Sequence, residues 1–314
     1  MTQKAGMGDV HRLIIQHGIE GARGMVATKA ERRAIDAAAS VLAEEESRLG
    51  ITHAGFAMTG LPHKATTAAV WRREGPRTTL LVASGHDRQG DLVGIPYGSM
   101  ARLILLYLQT EAVRTNSQEV ELGRSMNAWI GRMGVSVGGR TYALVAEQAR
   151  RISACRLTFF TERDGTETRQ NGAFVQNAIS LAGVRSEGQG ALWQDRVRLD
   201  DGFWRSLQTH PVPVREEAIR AIGTRSLAID VYIWLAYRLH SLDQPARISW
   251  PALHGQFGAG FRLIRQLKPT FTDALKLALA VYPEARVDIE QEGVVLHPSP
   301  PAVPRAAAKR LGLY

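Results

Sequence analysis

Residues 125–162, SMNAWIGRMGVSVGGRTYALVAEQARRISACRLTFFTE, carry the pattern that decides the fold. A short helix is expected around 125–133, and GVSVGGR then makes a glycine-rich turn. In RTYALVAEQARRI, Tyr142, Val145, Ala149 and Ile152 recur at helical spacing and face inward; Arg140, Leu144, Glu147, Gln148 and Arg151 lie opposite. CRLTFFTE (155–162) and AFVQNAISLAG (173–183) read as strands joined by a polar RDGTETRQNG loop. Upstream, SMARLILLYLQTEAVR forms an apolar helix with Ser99 as its N-cap. Three helices, the third basic, followed by a β-hairpin, is the order of a winged helix-turn-helix. Its third helix enters the major groove and its hairpin lies along the backbone. A three-helix unit packed on a hairpin for structural reasons alone has the same order.

Outward from that stretch the order recurs. REEAIRAIG (215–223) and the long apolar helix SLAIDVYIWLAYRLHSL (226–242) precede ISWPALHGQFG, a short helix with Pro251 near its first turn. The basic FRLIRQLK and TFTDALKLALAVY follow, and ARVDIEQEGVVLHPS closes as a hairpin turning at Gln291-Glu292-Gly293. Ser99 and Ser226 open corresponding helices, and Arg156 and Arg286 open corresponding strands, at nearly constant offset. The fold class is α+β, with tandem winged helix-turn-helix domains. The expected boundaries are an N-terminal extension with one helix (1–60), a first winged-helix domain (61–190), a second (191–300) and a Pro-rich tail (301–314). Within the extension, residues 1–28 read as irregular and 29–48 as a helix stopped by Gly50. VRLDDGFWRSL (197–207) reads as strand-like, and 65–73 with 78–83 as a hairpin turning at Glu74-Gly75-Pro76-Arg77.

The chain has 314 residues, 39 Lys+Arg against 30 Asp+Glu, and a net charge of +9. Only six of the basic residues are lysine; arginine's planar fork suits phosphates and guanine edges, although a GC-rich genome produces the same bias. Residues 1–60 are neutral, whereas 123–156 carry a net +5 and 247–276 a net +4. Two compact basic segments in an otherwise balanced chain fit a bipartite reader of the phosphate backbone. One cysteine excludes a disulfide framework, no apolar run approaches a membrane span, and no secretory signal pattern opens the chain. The expectation is a cytoplasmic protein.

Catalysis finds no foothold. GVSVGGRT (134–141) nearly matches a phosphate-binding loop, but Arg140 stands where lysine belongs and no strand precedes it. The nine histidines show no H-E-x-x-H or paired metal-ligand spacing, and each reads as a surface or interdomain residue. Cys155 reads as a small buried hydrophobe and the six tryptophans as core. No catalytic residue, cofactor or metal is expected, against the rival of a nucleotide hydrolase or a nickase.

The run GIPYGSMARLILLYLQTEAVR…VELGRSMNAWIGRMGVSVGGRTYALVAEQARRISACRLTFF resembles the plasmid-encoded RepA replication initiators. SWPALHGQFGAGFRLIRQLK…ALKLALAVYPEARVDIEQEGVVLHPSPPAV is similar to that family's closing region, so the resemblance covers roughly 92–304. It implies an initiator that binds iteron repeats in double-stranded origin DNA, promotes duplex opening, and recruits host DnaA and the replicative helicase. It further implies dimers that repress their own gene, with the monomer as the active form and no membrane association. The first winged helix would then dimerise and touch phosphates, and the second would read the groove.

Carried onto this sequence, the DNA-binding residues expected are Arg124, Arg132, Arg140, Gln148, Arg150 and Arg151 in the first basic segment. In the second they are Arg247, Arg262, Arg265, Lys268, Thr270, Thr272 and Lys276. Pro269 interrupts the second segment and leaves open whether the groove helix lies before it or begins after it. The alternative function is a winged-helix transcriptional repressor without a replication role.

Overall fold

The computed structural model describes residues 8–44, 48–163, 165–176, 196–309 and 312–313. It divides into two units: a central one of residues 51–55 and 61–211, and a composite one of residues 1–50, 56–60 and 212–314. The chain therefore parts at 211/212 instead of 190/191. The described residues of the first fifty, 8–44 and 48–50, are also not a separate extension, because they fold with the C-terminal winged helix.

The first elements are α1 (Gly8–Gly24), α2 (Lys29–Ala43), β1 (Leu49–His53) and α3 (Ala54–Met58). Residues 8–24, expected to be irregular, are helical with a break at Gly18, whose φ of 69° only glycine adopts freely. Thr28 starts α2 with a capping box: its hydroxyl accepts from the Glu31 amide, and the Glu31 carboxylate accepts from the Thr28 amide.

In the central unit, β2 (Val70–Glu74) and β3 (Thr78–Ala83) form the expected hairpin, and α4 (Gly98–Thr115) is the first helix of the winged motif. Ile104, Leu105, Leu108 and Ala112 of α4 are buried, and Asn116 ends it in the left-handed conformation. There follow β4 (Glu119–Glu121), α5 (Met126–Arg132), α6 (Gly139–Ala154), β5 (Arg156–Arg163), β6 (Thr166–Ala173), β7 (Arg196–Arg198) and α7 (Asp201–Thr209).

Two expectations change here. The polar loop is itself the second strand of the hairpin, β6, and of the strand placed over 173–183 the part beyond 176 lies outside the described residues. Of the stretch 197–207, expected to be strand-like, residues from Asp201 onward form a helix that runs to Thr209, because Asp200 caps it by accepting from the Gly202 and Phe203 amides. The sheet runs β2-β3-β5-β6, all antiparallel, with Leu80, Val82, Leu157 and Phe159 on its core face. β4 pairs with β7.

The remaining elements are β8 (Pro211–Arg215), α8 (Glu216–Ile222), α9 (Ser226–Arg238), β9 (Ala246–Ser249), α10 (Trp250–Phe257), α11 (Ile264–Ala280), β10 (Val287–Ile289), β11 (Gly293–Leu296) and α12 (Arg305–Lys309). In the composite unit α9, buried nearly all round, leads to β9, α10, α11 and the β10–β11 hairpin, and the sheet order is β10-β11-β9. That is a winged helix-turn-helix with its first strand returned to the wing. α2 packs its buried side, Ala34, Ile35, Ala37 and Ala38, against α8 and α11. The tail is folded and not merely extended: Ala302, Val303 and Ala308 are buried, and Pro304 opens α12 by accepting from Ala307.

Candidate nucleic-acid interface

In the central unit α6 is the third helix of the motif. Its core stripe is Val145, Gln148, Ala149 and Ile152. The outward face, half a turn away, carries Gly139, Arg140, Ala143, Ala146 and Arg150; the alanines leave a low surface between the two arginines. Arg140 and Arg150 are exposed, as is Arg124 just before Ser125, which caps α5. Arg132 is partly engaged by the Glu121 carbonyl at 3.3 Å and the Tyr107 hydroxyl at 3.4 Å, with 44% of its side chain exposed.

Two residues leave the expected contact set. Gln148 is 1% exposed, and its Oε1 accepts from the Tyr97 amide at 2.8 Å. Arg151 is turned to the same place: it pairs with Glu147 at 2.9 Å, donates to the Ile95 carbonyl at 3.1 Å, and stacks over Tyr97. A Cβ on Gly94 would meet its guanidinium at 2.0 Å, so Gly94, at φ 95°, makes room for it. Both side chains bind the segment that leads into α4. Burial, and secondarily Glu147, also raises the Tyr97 phenol above its ordinary pKa, so it stays a neutral donor to that carboxylate.

The hairpin β5–β6 adds a residue that sequence reasoning missed. Arg169 is exposed, lies over Phe160 with 5.7 Å to the ring centre, and donates to Asn171 at 2.9 Å; Asn171 also accepts from Thr158. The available signal was Asp164-Gly165, a two-residue hairpin turn in the sequence, here bounded by the Arg163–Thr166 pair.

In the composite unit α11 is one helix, and Pro269 lies inside it. The missing amide hydrogen leaves the Arg265 carbonyl without its i+4 donor, which is tolerable because Arg265 and Pro269 are both exposed to water. Leu267, Phe271, Ala274, Leu275 and Ala278 form the buried stripe. Arg265, Pro269, Thr272, Asp273 and Lys276 share the opposite face, Thr270 is exposed on its flank, and Arg262 is exposed just before the helix. Most of the expected set is therefore brought to one surface.

Lys268 and Arg247 sit at its edge and are engaged by the hairpin. Lys268 donates to the Gln291 carbonyl at 3.2 Å and lies 5.0 Å from the centre of the Trp250 ring. Arg247 pairs with Glu290 at 3.2 Å with 80% of its side chain exposed, a contact of little energy. The turn also exposes Glu292, so this hairpin is acidic where that of the central unit carries Arg169.

Elsewhere, Cys155 is 1% exposed with its thiol pushed up to about 12 by burial. His53, expected at a surface or interdomain position, is a core residue of the central unit. Among the described residues no cluster of His, Cys, Asp or Glu could hold a metal ion, and no helix is long and apolar enough to cross a membrane.

The family model described as plasmid encoded RepA protein matches residues 95–251, half of the chain. That stretch runs from the entry to α4 into α10. No curated protein matches the chain. Among solved structures, a selenomethionine crystal structure of domains 2 and 3 of RctB is similar at a TM-score of 0.49 and 10% identity, covering 78% of this chain and 95% of that one. A second structure of RctB domains 2–3 has a TM-score of 0.47 and 12% identity, covering 76% and 93%.

Proposed function

We propose a function that proceeds from one premise: the chain belongs to the family of plasmid-encoded RepA proteins. It is a replication initiator that binds repeated sequences in double-stranded plasmid origin DNA. The observation that carries this reading is the outward face of α11, where Arg265, Thr272 and Lys276 stand together on a helix in the third position of a winged motif. Arginine and threonine reach base edges, while lysine serves as a phosphate contact.

The acidic turn Glu290-Gln291-Glu292 keeps the hairpin of the composite unit off the phosphates, so α11 does the reading there. In the central unit Arg124, Arg140, Arg150 and Arg169 contact backbone with little selectivity. The reaction is driven by binding: counterion release gives affinity, base contacts choose the repeats, and strain imposed on the duplex favours opening of adjacent AT-rich DNA. No covalent step belongs to this protein. Host DnaA and the replicative helicase are recruited to the opened origin. Dimers, formed through the central unit, repress the protein's own gene, and monomers start replication.

The test is footprinting of the full chain across the DNA flanking its gene. Regularly spaced protected repeats beside an AT-rich tract that becomes permanganate-reactive are expected. A single inverted repeat over the promoter with no distortion beside it would replace the initiator with a repressor.

A further inference from the structure

We propose that the α1–α2 hairpin is part of the DNA interface of the composite unit, with Lys29 and Arg32 binding the backbone phosphates that flank the groove entered by α11. The inference rests on the reading of α11 as the groove helix. Residues 1–60 are neutral in total, and their sequence suggests no DNA contact. The fold changes that by placing α2 directly against α11.

The stripe α2 turns inward is almost wholly alanine, so the two helices approach closely, at about 8–10 Å between axes. A major groove is about 12 Å wide, so a helix packed alongside the one inside it lies over the bordering phosphates. The end of α2 that does so is its first turn, because Glu31 interacts electrostatically with Lys276 on the outward face of α11.

The charges on that turn are sorted. The Glu31 carboxylate is bound by the Thr28 amide and hydroxyl, at 3.1 and 2.8 Å, and lies within electrostatic range of Lys276. Asp36, one turn on, is held by Arg23 at 2.6 Å. Lys29 and Arg32 are exposed on the outward side, and among the described residues neither pairs with a carboxylate. The exposed side of that turn is thus left with two cations that have no carboxylate partner among the described residues.

The experiment uses the full chain with Lys29→Gln/Arg32→Gln. Binding is measured to a duplex from the DNA flanking the gene and to a scrambled duplex of equal length, between 50 and 200 mM salt. The expected result is roughly tenfold or greater loss of affinity for both duplexes at low salt, a log K against log[salt] slope shallower by about 1.8, and an unchanged preference between them. A second variant, Ala27→Lys at the exposed residue before the cap, is expected to strengthen binding and steepen the slope. Wild-type affinity and slope in both variants would overturn the proposal. Failure of the groove-helix reading is seen separately: Arg265→Ala would then leave the preference between the duplexes untouched.

Discussion

The Lys268 ammonium and the Trp250 indole N–H donate to the same Gln291 carbonyl, at 3.2 and 3.0 Å, and the ammonium also lies over the Trp250 ring. The first turns of α11 are thereby fixed to the hairpin tip. Without that tie, the turn carrying Arg265 is free to fray, since Pro269 has already removed one of its helical hydrogen bonds. Lys268→Ala is expected to lower the stability of the composite unit by about 1 kcal/mol, from a charged hydrogen bond and a half-exposed cation–π contact. DNA affinity should fall for every sequence. Urea denaturation and binding to two duplexes check this; an unchanged midpoint would mean the tie does not hold in solution.

Adjacent arginines on α6 have opposite duties. Arg150 projects outward, whereas Arg151 has 14% of its side chain exposed and is bound by Glu147, the Ile95 carbonyl and Tyr97. Arg151→Ala is expected to cost about 1–3 kcal/mol of stability. Arg150→Ala should leave stability within about 0.5 kcal/mol and make the salt slope of DNA binding shallower by about 0.9. Thermal unfolding with a salt titration separates the two, and equal effects from both variants would erase the distinction.

The same pair marks how far the sequence could be read. Helical period placed Val145, Ala149 and Ile152 in the core, but it gives only the angle of a residue, not what lies beside the helix. Gln148 and Arg151 flank that stripe, and the Tyr97 segment that covers them comes from fifty residues upstream. Long apolar or strongly periodic elements were legible: α4, α9, the β2–β3 hairpin and α2; the cap expected at Ser99 was not found, since α4 begins at Gly98 after Tyr97 with no side-chain cap, and the Thr28–Glu31 box went unread. β6 was not, because a strand with polar residues on both faces has no alternation to detect. Nor was α1, whose glycines argue against a helix that tertiary packing on α2 nevertheless holds. The recurrence of the winged motif was visible, yet the association of residues 1–50 with its second copy depends on contacts spanning most of the chain.

Acid should unfold the central unit through His53. Its ring is buried between Phe159 and Phe203; Nδ1 accepts from the Gly55 amide at 3.0 Å, which places the proton on Nε2 for Ser206 Oγ at 2.8 Å. Burial first, and His210 second, lower its pKa from 6.5 to about 3. The unfolded chain therefore takes up a proton that the folded chain refuses. Stability from this site is full above pH 6.5 and is lost as pH falls towards 3, by up to about 1.4 kcal/mol per unit. Urea midpoints of wild type and His53→Gln from pH 7.5 to 4.5 check it: the variant should lose less stability across that range, and parallel curves would remove His53 as the cause.

Arg265 is the residue on which sequence selection is expected to depend. It is exposed in the first turn of α11, on the face shared with Thr272 and Lys276, and Pro269 one turn later leaves its backbone carbonyl open to water on the same side. A guanidinium there can take both acceptors of a guanine, whereas Lys276, farther along the helix, has only a point charge to offer a phosphate. Arg265→Ala is expected to cost about 1–3 kcal/mol of discrimination between the repeat and a scrambled duplex. Lys276→Ala should weaken both duplexes alike. Competition binding at fixed salt reads the two ratios. If Arg265→Ala also weakens both alike, Arg265 is a backbone contact, and selection passes to Thr270 and Thr272 on the same helix.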